Sequence, residues 1–320
     1  MTDVTAIDAP AKRSGRAVLV FGGAGQVGRQ LRLALAPLGT VIPLTRADAD
    51  LRDPDSLRTL IERVRPLVVV NAAALTNVDQ AERDPALADA VNAIAPGIMA
   101  DAARRVGALF VHYSTDYVFD GATRVPYDED APPNPINAYG RSKLAGEQRV
   151  AEADAPHLII RTSWVYSVTG AGFVASLLRD LPGSPTVRIV ADQVGSPTWS
   201  RSLANATAAL VQAGIHVDDV VLNSRDWGVY HLGGSGEASR VEIAETLIDA
   251  LTVRLGGERP KIIPISASTF GALAPRPNFS ALSNLRASKR FGITLQPWRA
   301  ELHRMVTEEY VKPERFLLDS

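Results

Sequence analysis

In the stretch "NAYGRSKLAGE" (137–147), Tyr139 and Lys143 stand four residues apart, a spacing that puts both side chains on one face of a helix. A cation held beside a phenol favours phenolate and lowers a pKa that is about 10 when unperturbed. Each unit of lowering is worth about 1.36 kcal/mol, so a few units make tyrosine a proton donor and acceptor near neutral pH. The spacing alone also suits a surface helix with a half-packed Tyr and a solvated Lys. Upstream, "VHYSTDYVFDG" reads as an apolar strand whose carboxyl end delivers Ser114, Thr115 and Asp116. A hydroxyl there is placed to meet a carbonyl oxygen beside the tyrosine, because open α/β sheets bind ligands outside the carboxyl ends of their strands.

A second constellation lies near the start of the chain. "VLVFGGAGQVG" contains Gly22-x-x-Gly25-x-x-Gly28, and Gly23-x-Gly25-x-x-Gly28 is satisfied as well. It follows a β-branched apolar run and opens an apolar pattern at helical spacing, the context of a phosphate-binding turn. Glycines let the chain turn tightly and let a pyrophosphate approach N–H groups at the positive end of a helix. This predicts a dinucleotide site bordered by Gly22, Gly25, Gln26, Val27 and Gly28. The end of the second strand reports the cofactor. An acid there would bind a ribose 2′-hydroxyl and select NAD, but "VIPL" runs into Thr45 and Arg46, with no acid before Asp48. A guanidinium takes a 2′-phosphate bidentately. The expected cofactor is NADPH, with NADH as the alternative, and Asp50 and Leu51 are expected beside the adenine.

The elements that must position these groups follow from the apolar runs. "RAVLVFGG" (16–23), "TVIPLT", "LVVVNAAA", "LFVHYSTD" and "LIIRTSW" read as buried strands, with helical patterns between them at 54–65 and 85–107. Runs apolar throughout, rather than alternating, indicate parallel strands covered on both faces. The fold class is therefore α/β, a doubly wound parallel sheet. Residues 1–15 read as a loose tail and 16–163 as the dinucleotide-binding domain, to which segments near 187–199 and 226–250 return. Residues 164–310 read mainly as a smaller, interleaved substrate domain, and 311–320 as a second tail. At 320 residues, 46% hydrophobic and with a net charge of −1, the chain gives no electrostatic reason to bind nucleic acid or an anionic membrane. It has no cysteine, which excludes disulfides and thiolate metal sites. Its five histidines show no metal-ligand spacing, and no Gly-x-Ser-x-Gly elbow suggests a hydrolase. Without an apolar leader or a run of roughly 18 apolar residues, the expected compartment is the cytoplasm.

The order of seven strings gives the chain a family. "FGGAGQVG", "NAAALTNVDQAE", "HYSTDYVFDG", "YGRSKLAGE", "RTSWVY", "DQVGSPT" and "RPNFSAL" resemble the extended short-chain dehydrogenase/reductases, in their dTDP-4-dehydrorhamnose reductase branch, from about Arg16 to Glu309. The resemblance implies a dTDP-sugar substrate and reduction of its 4-keto group. It makes Tyr139 the proton donor, Lys143 the residue that lowers its pKa and holds the nicotinamide ribose, and Thr115 the hydroxyl partner of the reacting oxygen. Ala73, Ala74 and Thr76 would border the cofactor. Val78, Asp116 and Trp164 would face the sugar nucleotide, and Arg276 and Asn278 its diphosphate. Some relatives bind Mg²⁺ through glutamates near a subunit contact. The matching positions hold Gln30, Arg201 and Arg299; hard cations want carboxylate oxygens, and the two arginines would repel one. No metal is expected, and a homodimer, if formed, is not expected to use that contact. The competing readings are another nucleotide-sugar reductase, epimerase or dehydratase, and a non-catalytic dinucleotide-binding regulatory subunit.

Overall fold

The computed structural model describes residues 17–216, 219–220, 223–256 and 258–311. The first tail and nearly all of the second lie outside these residues. In chain order the elements that matter for the site are β1 (Ala17–Phe21), α1 (Gln26–Ala34), β2 (Thr40–Leu44), α2 (Pro54–Val64) and β3 (Val68–Asn71), then α3 (Ala95–Val106), β4 (Leu109–Thr115), α4 (Ala138–Glu152) and β5 (His157–Thr162). They are followed by β6 (Thr186–Val190), α5 (Ser200–Gly214), β7 (Gly228–His231), α6 (Arg240–Leu255) and β8 (Lys261–Ile265).

Six strands form one parallel sheet in the order β7-β5-β4-β3-β1-β2. Alternate residues of the apolar runs face opposite layers, as a two-period requires. Val18, Val20, Val70, Val111 and Ile160 meet Leu31 of α1 and Leu203 and Leu210 of α5 on one side. Leu19, Phe21, Val69, Phe110 and Ile159 meet Leu57 and Ile61 of α2 and Met99 of α3 on the other. Burial on both faces is why these strands are apolar throughout. The chain leaves β1 first toward β2 and then back through β3, so the strand order reverses there. In sheets of this kind ligands bind outside the carboxyl ends of the strands at that reversal.

Helix starts are written locally. Asp53 accepts a hydrogen bond from the Ser56 amide and Pro54 follows at the first helical position of α2. Asn137 does the same for α4, accepting from the Gly140 amide at 2.8 Å, while its own amide donates to the Pro275 carbonyl at 2.8 Å. The predicted helix over 85–107 is interrupted. Pro85–Asp89 is α, Ala90–Ile94 is a π turn, and α3 resumes at Ala95.

The second half of the chain is divided differently from the sequence-based expectation. Residues 187–199 do not return to the large sheet: β6 pairs in parallel with β8, apart from it. Its burial alternates, so it has only one apolar face to cover, unlike the strands of the large sheet. The smaller core joins Val187 and Ile189 to Ile243 and Leu247 of α6, and to Trp298, Leu302 and Met305. Conversely, α5 packs on α1 and belongs with the large sheet. Of the expected return at 226–250, β7 joins β5, whereas α6 belongs to the smaller core. No helix among the described residues is long and apolar enough to cross a membrane.

Candidate active site

A cleft of about 820 Å³ runs along the carboxyl ends of β1, β3 and β4. Its floor is backbone. Gly22 has φ +79°, and a Cβ there would stand 2.8 Å from the Ala72 carbonyl carbon and the Ala73 nitrogen. The Gly25 amide donates to the Gly22 carbonyl at 2.9 Å, closing the turn, and Gly25 then caps α1 without a side chain. Gly22, Gly25, Gln26 and Val27 line the cleft. Gly28 does not line it. A Cβ on Gly28 would lie 2.1 Å from the Gly22 carbonyl oxygen, so its role is to let α1 sit against the turn. Gln26 reaches across, donating to the Ala171 carbonyl at 2.8 Å and accepting from Ser167 at 2.9 Å. This ties the 167–171 loop down as the opposite wall.

Thr45, Arg46, Asp50 and Leu51 lie at one end of the cleft, and Ala73, Ala74 and Thr76 along its side. Both the amide and the hydroxyl of Thr45 donate to Asp48, at 2.8 and 2.7 Å, which holds that carboxyl below its ordinary range. Arg52 grips Asp50 through several hydrogen bonds of 2.5–3.0 Å and draws its pKa down to about 2. Arg46 is 75% exposed, with Asp50 no nearer than 3.9 Å, leaving a cation at the lip.

At the other end, α4 supplies Tyr139 and Lys143, β4 ends in Thr115, and Asp116 opens the short 3-10 turn that follows. Lys143 is 2% exposed. Its ammonium donates to the Tyr113 carbonyl at 2.6 Å and faces Nε2 of His112 at 3.2 Å, whose Nδ1 lies 3.2 Å from the Asn71 amide. Burial holds His112 neutral by pushing its pKa well down. The protein's own atoms do not give Tyr139 the lowered pKa expected from the helical spacing. Burial pushes the phenol above its ordinary value against the influence of Thr115, and burial pulls Lys143 down to about 8. The reason is that Lys143 aims at β4 rather than at the phenol. A raised pKa keeps Tyr139 protonated, which is the form a proton donor needs.

Asp116 likewise differs from expectation. Its carboxylate accepts from Ser280 at 2.5 Å, Ser163 at 3.0 Å and Thr115 at 3.0 Å. Although Asp116 borders the cleft, these three hydroxyls engage the oxygens a substrate would need. Burial outweighs them and raises its pKa to about 6.

A smaller cavity of about 210 Å³ adjoins the cleft and shares Thr115, Asp116, Tyr139 and Trp164 with it; Val78 lines its far side. Trp164 adopts φ +43°, an uncommon conformation for a bulky residue that marks local strain. Arg276 and Asn278 line neither cavity. The Arg276 guanidinium is taken by Asp79 at 3.2 Å and the Ala274 carbonyl at 3.0 Å. The Asn278 carbonyl accepts from the Val194 amide at 2.8 Å.

Three features escape a sequence reading. Arg240 lines the small cavity; at the start of a helix it reads as a solvated charge, and only the Ser239–Glu242 capping box is legible. Asn92, carried by the π turn, bonds both the amide and the carbonyl of Leu75, at 2.8 and 3.1 Å, and Ser142 at 3.0 Å, joining α4 to the cleft wall. Glu147, four residues beyond Lys143, forms a bidentate pair with Arg161 at 2.9 and 2.6 Å and accepts from Ser114. Both partners are 5% exposed. Two of the three positions matched to a metal site are otherwise engaged. Arg201 pairs with Glu308 and Glu309, each at 2.7 Å, and Arg299 bonds Thr246 at 2.7 Å and Glu242 at 3.2 Å.

The cradle at Gly22, the uncapped start of α1 and the cationic lip fit a dinucleotide with phosphate on its ribose. With Tyr139, Lys143 and Thr115 at its inner end, the cleft defines a short-chain dehydrogenase/reductase site on a doubly wound sheet. Comparison with known proteins narrows the class. Residues 16–311 match the family described as RmlD substrate binding domain. The chain is 44% identical over 286 residues to a dTDP-4-dehydrorhamnose reductase of Burkholderia thailandensis, covering 88% of this chain and 95% of that one. It is 36% identical over 300 residues to the Salmonella typhimurium enzyme of the same name, covering 92% and 98%. A crystal structure of the Bacillus anthracis dTDP-4-dehydrorhamnose reductase in complex with NADP superposes with a TM-score of 0.83 at 33% identity, covering 92% and 99%. The chain belongs to the dTDP-4-dehydrorhamnose reductase family.

Proposed function

We propose that this protein reduces the 4-keto group of dTDP-4-dehydro-β-L-rhamnose to give dTDP-L-rhamnose, with NADPH as the preferred reductant and NADH as the alternative. The observation that carries this reading is the shared wall: Thr115, Tyr139 and Trp164 border both the long cleft and the small cavity. A dinucleotide laid along the glycine turn and a sugar in the small cavity meet at those side chains. When bound, the nicotinamide supplies the hydride.

The chain's own residues do the rest. Tyr139, kept protonated by burial, gives its proton to the carbonyl oxygen as charge grows there. Thr115 directs its hydroxyl proton at Asp116 and accepts from the Tyr117 amide at 3.1 Å. Rotation about its C–O bond turns that proton toward the sugar oxygen. Lys143, with a pKa of about 8, remains largely cationic at neutral pH and sits at the cleft wall, where ribose hydroxyls would reach it. Arg46 at the lip supports selection of a 2′-phosphate.

The test follows oxidation of the reduced cofactor near 340 nm (roughly the nicotinamide band) with this substrate. Wild-type chain should turn over, and Tyr139→Phe should lose about 10²- to 10⁴-fold in kcat while binding NADPH as before. Full activity in Tyr139→Phe would sink the role of the phenol. A wild-type chain that binds NADPH yet leaves this sugar unreduced would move the function to another nucleotide sugar or to a regulatory subunit.

A further inference from the structure

We propose that Arg240, rather than Arg276, holds the diphosphate of the nucleotide sugar. The inference rests on the substrate class given above and adds a binding residue to it.

The two guanidiniums differ in what neutralises them. Arg276 has a carboxylate at 3.2 Å in Asp79. Arg240 forms no ion pair with any described carboxylate, and its hydrogen bond to Gln193 is long, at 3.4 Å. Its place is nonetheless fixed. The capping box of Ser239 and Glu242 sets where α6 begins, and the guanidinium carbon lies over the Trp164 ring, 4.3 Å from its centroid, and over the Phe173 ring at 5.2 Å. Contact of this kind holds a guanidinium in place and leaves N–H groups for an anion. What rewards the charge is modest: the Tyr117 hydroxyl and the faces of two aromatic rings, with no carboxylate paired to it among the described residues. A cation at the first position of a helix faces the positive end of the helix dipole. Arg276 repels it, and burial lowers its pKa. Asp116, the nearby acid, is already engaged by three hydroxyls. An anion at this wall would satisfy all of these at once.

The identity of that anion follows from the sugar. With its C4 carbonyl at Tyr139, the hexose presents C1 and the attached diphosphate on the opposite side of the ring. The small cavity, at about 210 Å³, suits a sugar ring and is below the usual range for a whole nucleotide. The diphosphate must therefore leave it at a wall, and Arg240 is the guanidinium in that wall. Arg binds phosphate bidentately, which makes the contact one of geometry as well as charge.

The experiment compares wild type, Arg240→Gln and Arg240→Lys as full-length chains. It measures calorimetric affinity for dTDP and for thymidine, together with KM for the keto sugar and for NADPH. In Arg240→Gln, the dTDP dissociation constant and the sugar KM should rise about 10- to 100-fold, with thymidine affinity and NADPH KM within about twofold of wild type. Arg240→Lys should recover part of the dTDP affinity, because it keeps the charge without the fork. Unchanged dTDP affinity in Arg240→Gln, with normal wild-type turnover, overturns the role of Arg240 alone. Equal loss of dTDP and thymidine affinity also overturns it, since the residue would then be shaping the wall rather than holding phosphate. A wild-type chain that neither binds dTDP nor reduces the sugar overturns the substrate reading, and this inference with it.

Discussion

The two ends of the cleft are built from different materials. At the nucleotide end the chain uses backbone: a turn at Gly22–Gly25, the amides that open α1, and a strand end at Ala72–Ala73 lying against them. At the sugar end it uses side chains brought together from far apart in sequence. Asp116 is held by Ser280, 164 residues away, and Trp164 is covered by Arg240 of another element. The first construction leaves no room for an added atom at Gly22 or Gly28. The second has room for atoms, and its weak point is charge, because buried ionisable groups there are held by a few hydrogen bonds.

The largest effect expected from this contrast is a pH response confined to the sugar end. Asp116 is raised from 3.8 to about 6. Between those values the folded chain keeps a proton that the unfolded chain has released. The contribution of this group to stability is therefore full below about pH 3.8 and is lost as pH rises through about 6, a loss on the order of 3 kcal/mol. Denaturation midpoints measured from about pH 4 to about pH 7 should show Asp116→Asn gaining on wild type across that window. Parallel curves would mean that the carboxyl is not protonated in the folded chain at the acid end.

Next in size is a steric effect at the nucleotide end. Gly28→Ala puts a methyl 2.1 Å from the Gly22 carbonyl oxygen, and overpacking of this kind costs about 1–3 kcal/mol. NADPH affinity, read by fluorescence titration, should fall about 10- to 100-fold while dTDP affinity stays near wild type. Equal loss of both ligands would erase the distinction between the two ends.

The smallest effect belongs to the exposed lip. Arg46→Ala should lower the ratio of kcat/KM with NADPH to that with NADH by less than about tenfold, because an exposed ion contact is worth little. A ratio that does not change would assign the choice of cofactor to Arg52 or to the backbone.

The same contrast explains how far the sequence could be read. The glycine turn, the strands of the large sheet, and Tyr139, Lys143 and Thr115 are legible because each is specified by neighbours within a few positions. Gly28 was expected to touch the cofactor and instead seats α1, a distinction that spacing cannot carry. The protein's own atoms do not produce the lowering of the Tyr139 pKa that the spacing suggests, because i,i+4 spacing fixes a shared face but not where a long side chain ends. Here the Tyr113 carbonyl and His112 decide that. Asp116 was expected to be free for substrate, and the serines that claim it come from the strand-end and 280 regions, beyond any local pattern. The expectation that residues near 187–199 return to the main sheet fails because one short alternating strand does not reveal its partner. Arg240 carries no local signal at all, since its surroundings come from 164 and 173.

The π turn at Ala90–Ile94 sets the phase between two helical segments. A π turn holds one residue more than an α turn, so the segments on either side, Pro85–Asp89 and α3, are out of phase by about 100° around the axis. A helix ordinarily rejects a single-residue insertion because every later side chain would change face. Here the excess is absorbed within one turn, and the same turn carries the Asn92 link to Leu75 and Ser142. Deleting one residue within 90–94 would turn Pro85–Asp89 by about 100° relative to α3 and pull Asn92 away from Leu75 and Ser142.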